Sequence, residues 1–458
     1  LRTGAVYAVA PRRARALAGA LRRRGLLEFA EPDRAVGRRA FPQDPAFAEQ
    51  PLLAVVDPAL SPPAPSPAGP LLAVLDAQVA PHPELATGLS LLHPTAPVTE
   101  WHGTAVASVA GAAADGRGMV GVLPGARLLG VDTPARCSGS ATAIEDAVTA
   151  GARVLNMSYG GPPCYAEYLA TQLAAHRGAV LVAAGGNELL EGNRPAYPAS
   201  YPHVVTVASV GRSGRPSAFS NENPGVDLAA PGERVLVAVP PALDPRGPAD
   251  GYAQVDGTSF AAPMVAGAAA WVRAVRPALL PDQVASVLRR GSRDLGPRGW
   301  DPATGHGLLR VGGALRAEPE APDPREPDDD VPLVDGTWFG EARPPLLGPG
   351  ERSRTVRGRL DQWEDPSDVV RVVVPARGAL RVAVRPRAGD PDLAVFSAAA
   401  RTIDRRRGLL ARSLRGAGAT DAVRIANPAR RRRVVFVAVY IDGSVRRLDA
   451  AYGLTVSR

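Results

Sequence analysis

The chain has 458 residues, enough for two or three domains, and its 45% hydrophobic content can fill large cores. No run approaches the roughly 20 apolar residues that a membrane-spanning helix requires. The formal charge is +8, every basic residue is arginine, and there are 47 prolines. That is a signature of GC-rich coding rather than of a nucleic-acid partner. The densest basic run, Arg430–Arg433, carries no interleaved aromatics and leads straight into the strand-like Val434–Val437.

In chain order, Val6–Val9 reads as a strand, Pro11–Arg24 as a helix and Leu26–Phe29 as a strand, closing on Glu31-Pro32-Asp33. Residues 34–67 are Pro-rich and read as an exposed, largely irregular connector. Leu71–Leu75 is an unbroken apolar run, the pattern of a strand buried on both faces of a parallel sheet, and Asp76 ends it at the carboxyl edge. His102 precedes Gly103-Thr104 and a small-residue run that predicts a tightly packed helix. Ser259 likewise opens an apolar helix running to about Val275, with Pro263 tolerable in an early turn. A serine hydroxyl becomes a useful nucleophile when a histidine takes its proton and a carboxylate orients that histidine. The order Asp, His, Ser is one of the known solutions to that geometry.

Past residue 317 the pattern changes. Glu318–Pro332 is acidic and Pro-rich, which predicts a linker. Short alternating runs follow, among them Val369–Val374, Leu380–Val384, Leu393–Phe396, Val434–Tyr440 and Tyr452–Val456, with no long helix between them. This spacing predicts an antiparallel β-sandwich.

Three segments together resemble the subtilases, the subtilisin-like serine proteases: Leu71–Asp76, Trp101–Ser108 with its His-Gly-Thr, and Asp256–Gly267 with its Gly-Thr-Ser-Phe-Ala-Ala-Pro-Met-Val-Ala-Gly. The resemblance covers roughly residues 68–316. It implies an α/β domain with a doubly wound, mostly parallel sheet and helices on both faces, followed by the β-sandwich at 334–458 after a linker at 317–333. It further implies that Asp76 orients, His102 acts as base and then acid, and Ser259 attacks. Val180–Asn187 resembles the strand ending in the family's oxyanion asparagine, here Asn187, beside the Ser259 N–H. Val154–Gly161 resembles the substrate-binding strand. Substrate would lie extended between Ser138-Gly139-Ser140 and Ser158-Tyr159-Gly160, with Gly185, Gly186 and Ala196 completing the pocket before the scissile bond.

Further expectations rest on the same likeness. Residues 1–33 resemble part of an inhibitory propeptide, with a permanent N-terminal extension as the alternative. The connector at 34–67 would hold the maturation cut, giving a secreted, monomeric enzyme acting on protein or peptide substrates, with its own propeptide as a partner. Cys137 and Cys164 would form a disulfide stapling the two walls of the cleft; two reduced thiols are the alternative. No cofactor is required for the chemistry. A structural calcium would lie between Glu84 and Asp115, which otherwise read as surface carboxylates. The aspartates of Asp328–Asp330, Asp361–Asp368 and Asp390–Asp392 resemble those of the bacterial pre-peptidase C-terminal domain and read either as calcium ligands or as solvated turns.

The chain departs from the family where Ala77-Gln78 follow the aspartate in place of Ser or Thr and then Gly. That motivates an alternative, a catalytically weak or inactive scaffold on the subtilase fold.

Overall fold

The computed structural model describes residues 44–458 apart from 58, 246, 248, 323–324, 363–364, 404–406 and 442–448, together with a few positions between 13 and 24. The chain forms two units, residues 1–39 and 40–458. In the first unit positions 13, 16, 17 and 19–21 are helical, as predicted. The flanking strands expected at Val6–Val9 and Leu26–Phe29 lie outside the described residues.

The second unit is built on a parallel seven-stranded sheet. Its strands are β1 (Leu71–Asp76), β2 (Leu89–Leu92), β3 (Arg127–Asp132), β4 (Ala152–Met157), β5 (Val180–Ala184), β6 (Val204–Val210) and β7 (Val226–Pro231). They run in the order β2-β3-β1-β4-β5-β6-β7. Side chains alternate across a strand, so an unbroken apolar run supplies two faces at once. Leu72 and Val74 join the core beneath α1 (His102–Gly111) and the long central α4 (Thr258–Val275). Ala73 and Leu75 join a second core beneath α2 (Cys137–Thr149) and α3 (Tyr165–His176). The sheet is therefore doubly wound. Its switch point lies at β1, between β3 on one side and β4 on the other. Open α/β sheets place their ligands outside the carboxyl ends of the strands at such a point.

Residues 44–56 correct the expectation of an irregular connector. Phe47, Val55 and Val56 are buried in the first core, and Gln50 exchanges hydrogen bonds with the Val120 backbone at 2.9 and 3.1 Å. The apolar residues among the prolines decide this, because burying them outweighs keeping the segment in water. Residues 61–68 do run largely exposed.

The predicted β-sandwich is present. One sheet has the order β8 (Ser353–Asp361), β15 (Asp449–Ser457), β10 (Gly378–Ala388), β13 (Asp421–Asn427). The other runs β9 (Ser367–Val374), β14 (Arg433–Tyr440), β11 (Asp392–Ser397), β12 (Leu409–Ser413). Val382, Val384 and Leu454 of the first sheet meet Val370, Val372 and Val437 of the second. The outer face of the second sheet is covered by Val331, Leu333 and Val334 of the short helix α5 (Val331–Val334). The acidic stretch before it is therefore no free linker. Asp328, Asp329 and Asp368 are buried, at 1%, 4% and 0% exposure, which also corrects their reading as solvated turns.

Candidate active site

Three strand ends and two helix starts meet at the switch point. Asp76 ends β1 with its side chain 4% exposed, and the His102 imidazole at the start of α1 is 29% exposed. His102 Nδ1 lies 3.0 and 2.9 Å from the two Asp76 carboxylate oxygens. Gly103 permits this closeness, because a Cβ there would collide with the Gln78 carbonyl oxygen and the Asp76 side chain. Burial pulls the imidazole pKa down, but the Asp76 charge and hydrogen bond, with a contribution from Glu100, outweigh it and raise it overall. Trp101 and Phe260 enclose the ring, with centroids 5.8 and 5.4 Å from that of His102.

Ser259 sits in the first turn of α4, where backbone N–H groups have no partner within the helix. The preceding Gly257 holds φ at +152°, a conformation that side chains disfavour. The Ser259 hydroxyl donates to the Ser158 carbonyl oxygen at 3.2 Å, and the Ser158 hydroxyl donates to the Ser259 carbonyl oxygen at 2.8 Å. Asn156 Nδ2 in turn donates to Ser158 Oγ at 2.9 Å. Among the described residues no hydrogen bond joins Ser259 to His102. Such bonds are often long before substrate arrives.

Asn187 follows β5. Its side-chain oxygen accepts from both the N–H and the hydroxyl of Thr258, each at 2.9 Å. This commits the oxygen end of the amide to Thr258, the residue before Ser259. Glu188 folds back onto the Asn187 N–H at 2.8 Å and the Asn221 amide at 3.1 Å.

Gly160 and Ala196 come together, since a Cβ built on Gly160 would lie 3.2 Å from that of Ala196. Gly161 and Tyr197 form an antiparallel bridge beside them. Gly185 is buried against Val207, and the half-buried Gly186 lies against Asn221. The other wall differs from expectation. Ser138 and Gly139 belong to the first turn of α2, not to an extended segment. Ser140 in the same turn is buried, donating to Glu167 at 2.6 Å and bonded to the Tyr159 hydroxyl at 2.7 Å. Burial drives the Tyr159 hydroxyl pKa up, so it stays protonated. Cys137 and Cys164 form a disulfide with Cα atoms 5.9 Å apart. It joins the first residue of α2 to the N-cap of α3.

The departure at Ala77-Gln78 is compensated. The Ala77 N–H donates to Asp76 Oδ1 at 2.9 Å, in place of a hydroxyl. The contacts of Gln78, Thr258, Trp101 and Phe260 escaped the sequence reading, although each stands in or beside one of the three motif segments.

Glu84 and Asp115 are both already engaged by neighbouring groups, although the buried Glu84 Oε2 accepts no hydrogen bond. Glu84 is buried and accepts from the Met119 N–H at 3.1 Å and from the Tyr252 hydroxyl. Asp115 is already paired with the Arg117 guanidinium at 2.6 Å, which lowers its pKa, and a metal would have to displace that cation.

Residues 68–307, just over half of the chain, match the Subtilase family. The chain belongs to the subtilase family. It is similar to fervidolysin from Fervidobacterium pennivorans, at 35% identity over 240 residues, covering 47% of this chain and 34% of that protein. It is also similar to subtilisin BL from Lederbergia lenta, at 33% identity over 255 residues, covering 54% of this chain and 90% of that one. The crystal structure of fervidolysin superposes with a TM-score of 0.50 at 22% identity, covering 77% of this chain and 66% of the other, a likeness of fold. By family, then, this subtilase is a subtilisin-like serine endopeptidase. Among the described residues no helix is long and apolar enough to cross a membrane.

Proposed function

We propose that this subtilase hydrolyses peptide bonds through Asp76, His102 and Ser259. The observation that carries the reading is the His102 Nδ1 contact with both Asp76 oxygens, at 3.0 and 2.9 Å, beside Ser259 at the start of α4. Nδ1–H donates to Asp76, which leaves the Nε2 lone pair as base. Ser259 Oγ bonds to the scissile carbonyl carbon as its proton passes to Nε2. The oxyanion accepts hydrogen bonds from the Ser259 N–H and the Asn187 amide. Collapse breaks the C–N bond, and the amine leaves with the proton from Nε2. Water then attacks the acyl-enzyme with His102 again as base, releasing the acid and restoring the serine.

The pocket model places Gly160, Ala196 and Gly185 around the side chain before the scissile bond. These small walls favour a large apolar group, whose burial contributes about 2–3 kcal/mol. The hydrogen-bonded Glu188 adds little for Arg or Lys. Secretion, maturation by removal of an N-terminal segment and action as a monomer complete the reading. The disulfide supports an oxidising compartment.

A structural calcium has a better-fitting home than Glu84. Glu326, Asp365 and Asp368 each offer an oxygen within 4.8 Å of the others. The buried oxygens Asp328 Oδ1, Asp329 Oδ1 and Asp365 Oδ1 accept no hydrogen bond. Burial, and then the neighbouring carboxylates, push the Asp328 and Asp365 pKa values well up. The nearby arginines Arg325 and Arg343 balance only part of the charge. Hard oxygen donors of this kind suit calcium.

A fluorophosphonate tests the central claim, because it labels only an activated serine. Label on Ser259 of the folded protein, absent in Ser259→Ala, is expected, with library peptides cut after Leu, Phe, Tyr or Met. An unlabelled folded protein would revive the scaffold reading, and dominant cleavage after Asp, Glu or Gly would overturn the pocket.

A further inference from the structure

We propose that Gln78 is a positioning residue for His102, acting through the segment Thr95–Glu100; this rests on the triad reading above. Gln78 lies two residues beyond Asp76 and is buried at 7% exposure. Its amide nitrogen donates to Thr95 O at 3.3 Å, Thr95 Oγ1 at 2.8 Å and Pro97 O at 3.2 Å. Its amide oxygen accepts from Thr99 N at 2.7 Å, Thr99 Oγ1 at 3.2 Å and Glu100 N at 2.9 Å. One side chain thus binds four residues of a segment that has no regular secondary structure and is otherwise exposed.

That segment ends at Trp101 and His102. Among the described residues the other anchor with bonds to it is Asp132, at the end of β3, which accepts from Thr95 N at 2.6 Å and Thr95 Oγ1 at 2.7 Å. Asp132 holds the far end, whereas among the described residues it is Gln78 that reaches Thr99 and Glu100, next to the helix start. Exposed irregular segments with few anchors open easily. Without the Gln78 amide, the entry to α1 at His102 would rest on the hold of Asp132 on Thr95, seven residues earlier in the chain. The backbone oxygen of Gln78 also lies against Gly103, so one residue fixes both the approach and the first turn.

Two charges act on the imidazole, Asp76 from β1 and Glu100 from this segment; α4 contributes the uncharged Phe260 ring. Because Gln78 holds the Glu100 N–H, it also sets where the Glu100 charge stands. Releasing the segment should weaken the Glu100 contribution as well as loosen His102. A merely structural residue would lower the folded fraction and leave the imidazole titration where it is.

The test compares Gln78→Met, which keeps length but no hydrogen bond, with Gln78→Glu, which keeps the acceptor half toward Thr99 and Glu100. Active sites are counted with a fluorophosphonate, and kcat, KM and the pH profile of kcat/KM are read on one peptide substrate. Gln78→Met should lose about ten- to a hundredfold in kcat per titrated site with KM within about twofold, the scale of a misplaced catalytic group. Its acid limb, which the Asp76 and Glu100 charges raise above that of a free imidazole in the wild type, should move to lower pH. Gln78→Glu should recover most of kcat. Should Gln78→Met not fold, the kcat of Gln78→Glu per titrated site must still lie below wild type and, wherever both are measured, above that of any variant lacking the acceptor. Wild-type kcat and an unmoved acid limb in every variant that folds would overturn the proposal, as would losses confined to the titrated fraction. Activity surviving in Ser259→Ala would instead sink the triad reading beneath it.

Discussion

In the proposed mechanism Asn187, a residue of flexible character, serves as a fixed donor. Its carbonyl end is held by the N–H and the hydroxyl of Thr258, so its NH₂ end is oriented before substrate arrives. A preorganised donor stabilises charge that develops only in the transition state, and need not reorganise when it does. Asn187→Ala is therefore expected to lower kcat about 10²–10³-fold, the scale set by removing an equivalent donor in subtilisin, with little change in KM. Steady-state kinetics on a peptide substrate check this. A rise in KM with kcat intact would mean that Asn187 binds the ground state instead. Thr258→Val tests the support separately, with a smaller loss of kcat expected.

The disulfide acts at the scale of elements. It closes a separation of 27 residues and ties the start of α2 to the N-cap of α3, the two helices covering one face of the sheet. Beside it, Ser140 binds Glu167 and Tyr159, so a buried polar knot and a covalent bond secure the same corner. Closing a loop of that length stabilises by about 3–4 kcal/mol through the unfolded chain. Replacing both cysteines by Ser should lower unfolding stability by up to that amount, measured by denaturant titration under two-state conditions. Intact-mass analysis with alkylation should find both thiols only after reduction. Turnover in the replaced protein should persist in buffer, because neither sulfur touches the catalytic groups.

For the whole molecule, the carboxylates between the catalytic domain and the sandwich dominate. His203, at the start of β6, bonds Asp329 at 2.8 Å, so the catalytic domain and the acidic stretch share one polar cluster. Buried carboxylates crowded together must be relieved by protons, by arginine or by a cation. Calcium should raise the melting temperature of the full chain, and a chelator should lower it, by an amount set by RT ln(1 + [L]/Kd). Asp365→Asn should abolish most of the calcium dependence, whereas Asp115→Asn should not. Equal melting of wild type with calcium and with chelator would remove the metal from this cluster.

Much of the fold was legible because it depends on local pattern. The apolar run Leu71–Leu75, the small-residue helices after His102 and Ser259, and the alternating runs past residue 334 each dictate an element by periodicity and burial alone. The aspartate, histidine, serine and asparagine were legible because each stands at the end of such an element, beside a motif whose glycines and small residues permit close approach. What escaped depends on which distant segments become neighbours. The sequence could show Gln78 only as a departure, and nothing near it reveals that its amide would meet Thr95, Pro97, Thr99 and Glu100. Nor could polar, Pro-rich composition reveal that Phe47 and Val55 are drawn into the core, or that Asp328 and Asp368 leave water. Composition records what a segment prefers on its own. Burial of a polar or Pro-rich segment depends on the partners the fold brings to it, and tertiary structure alone decides those partners.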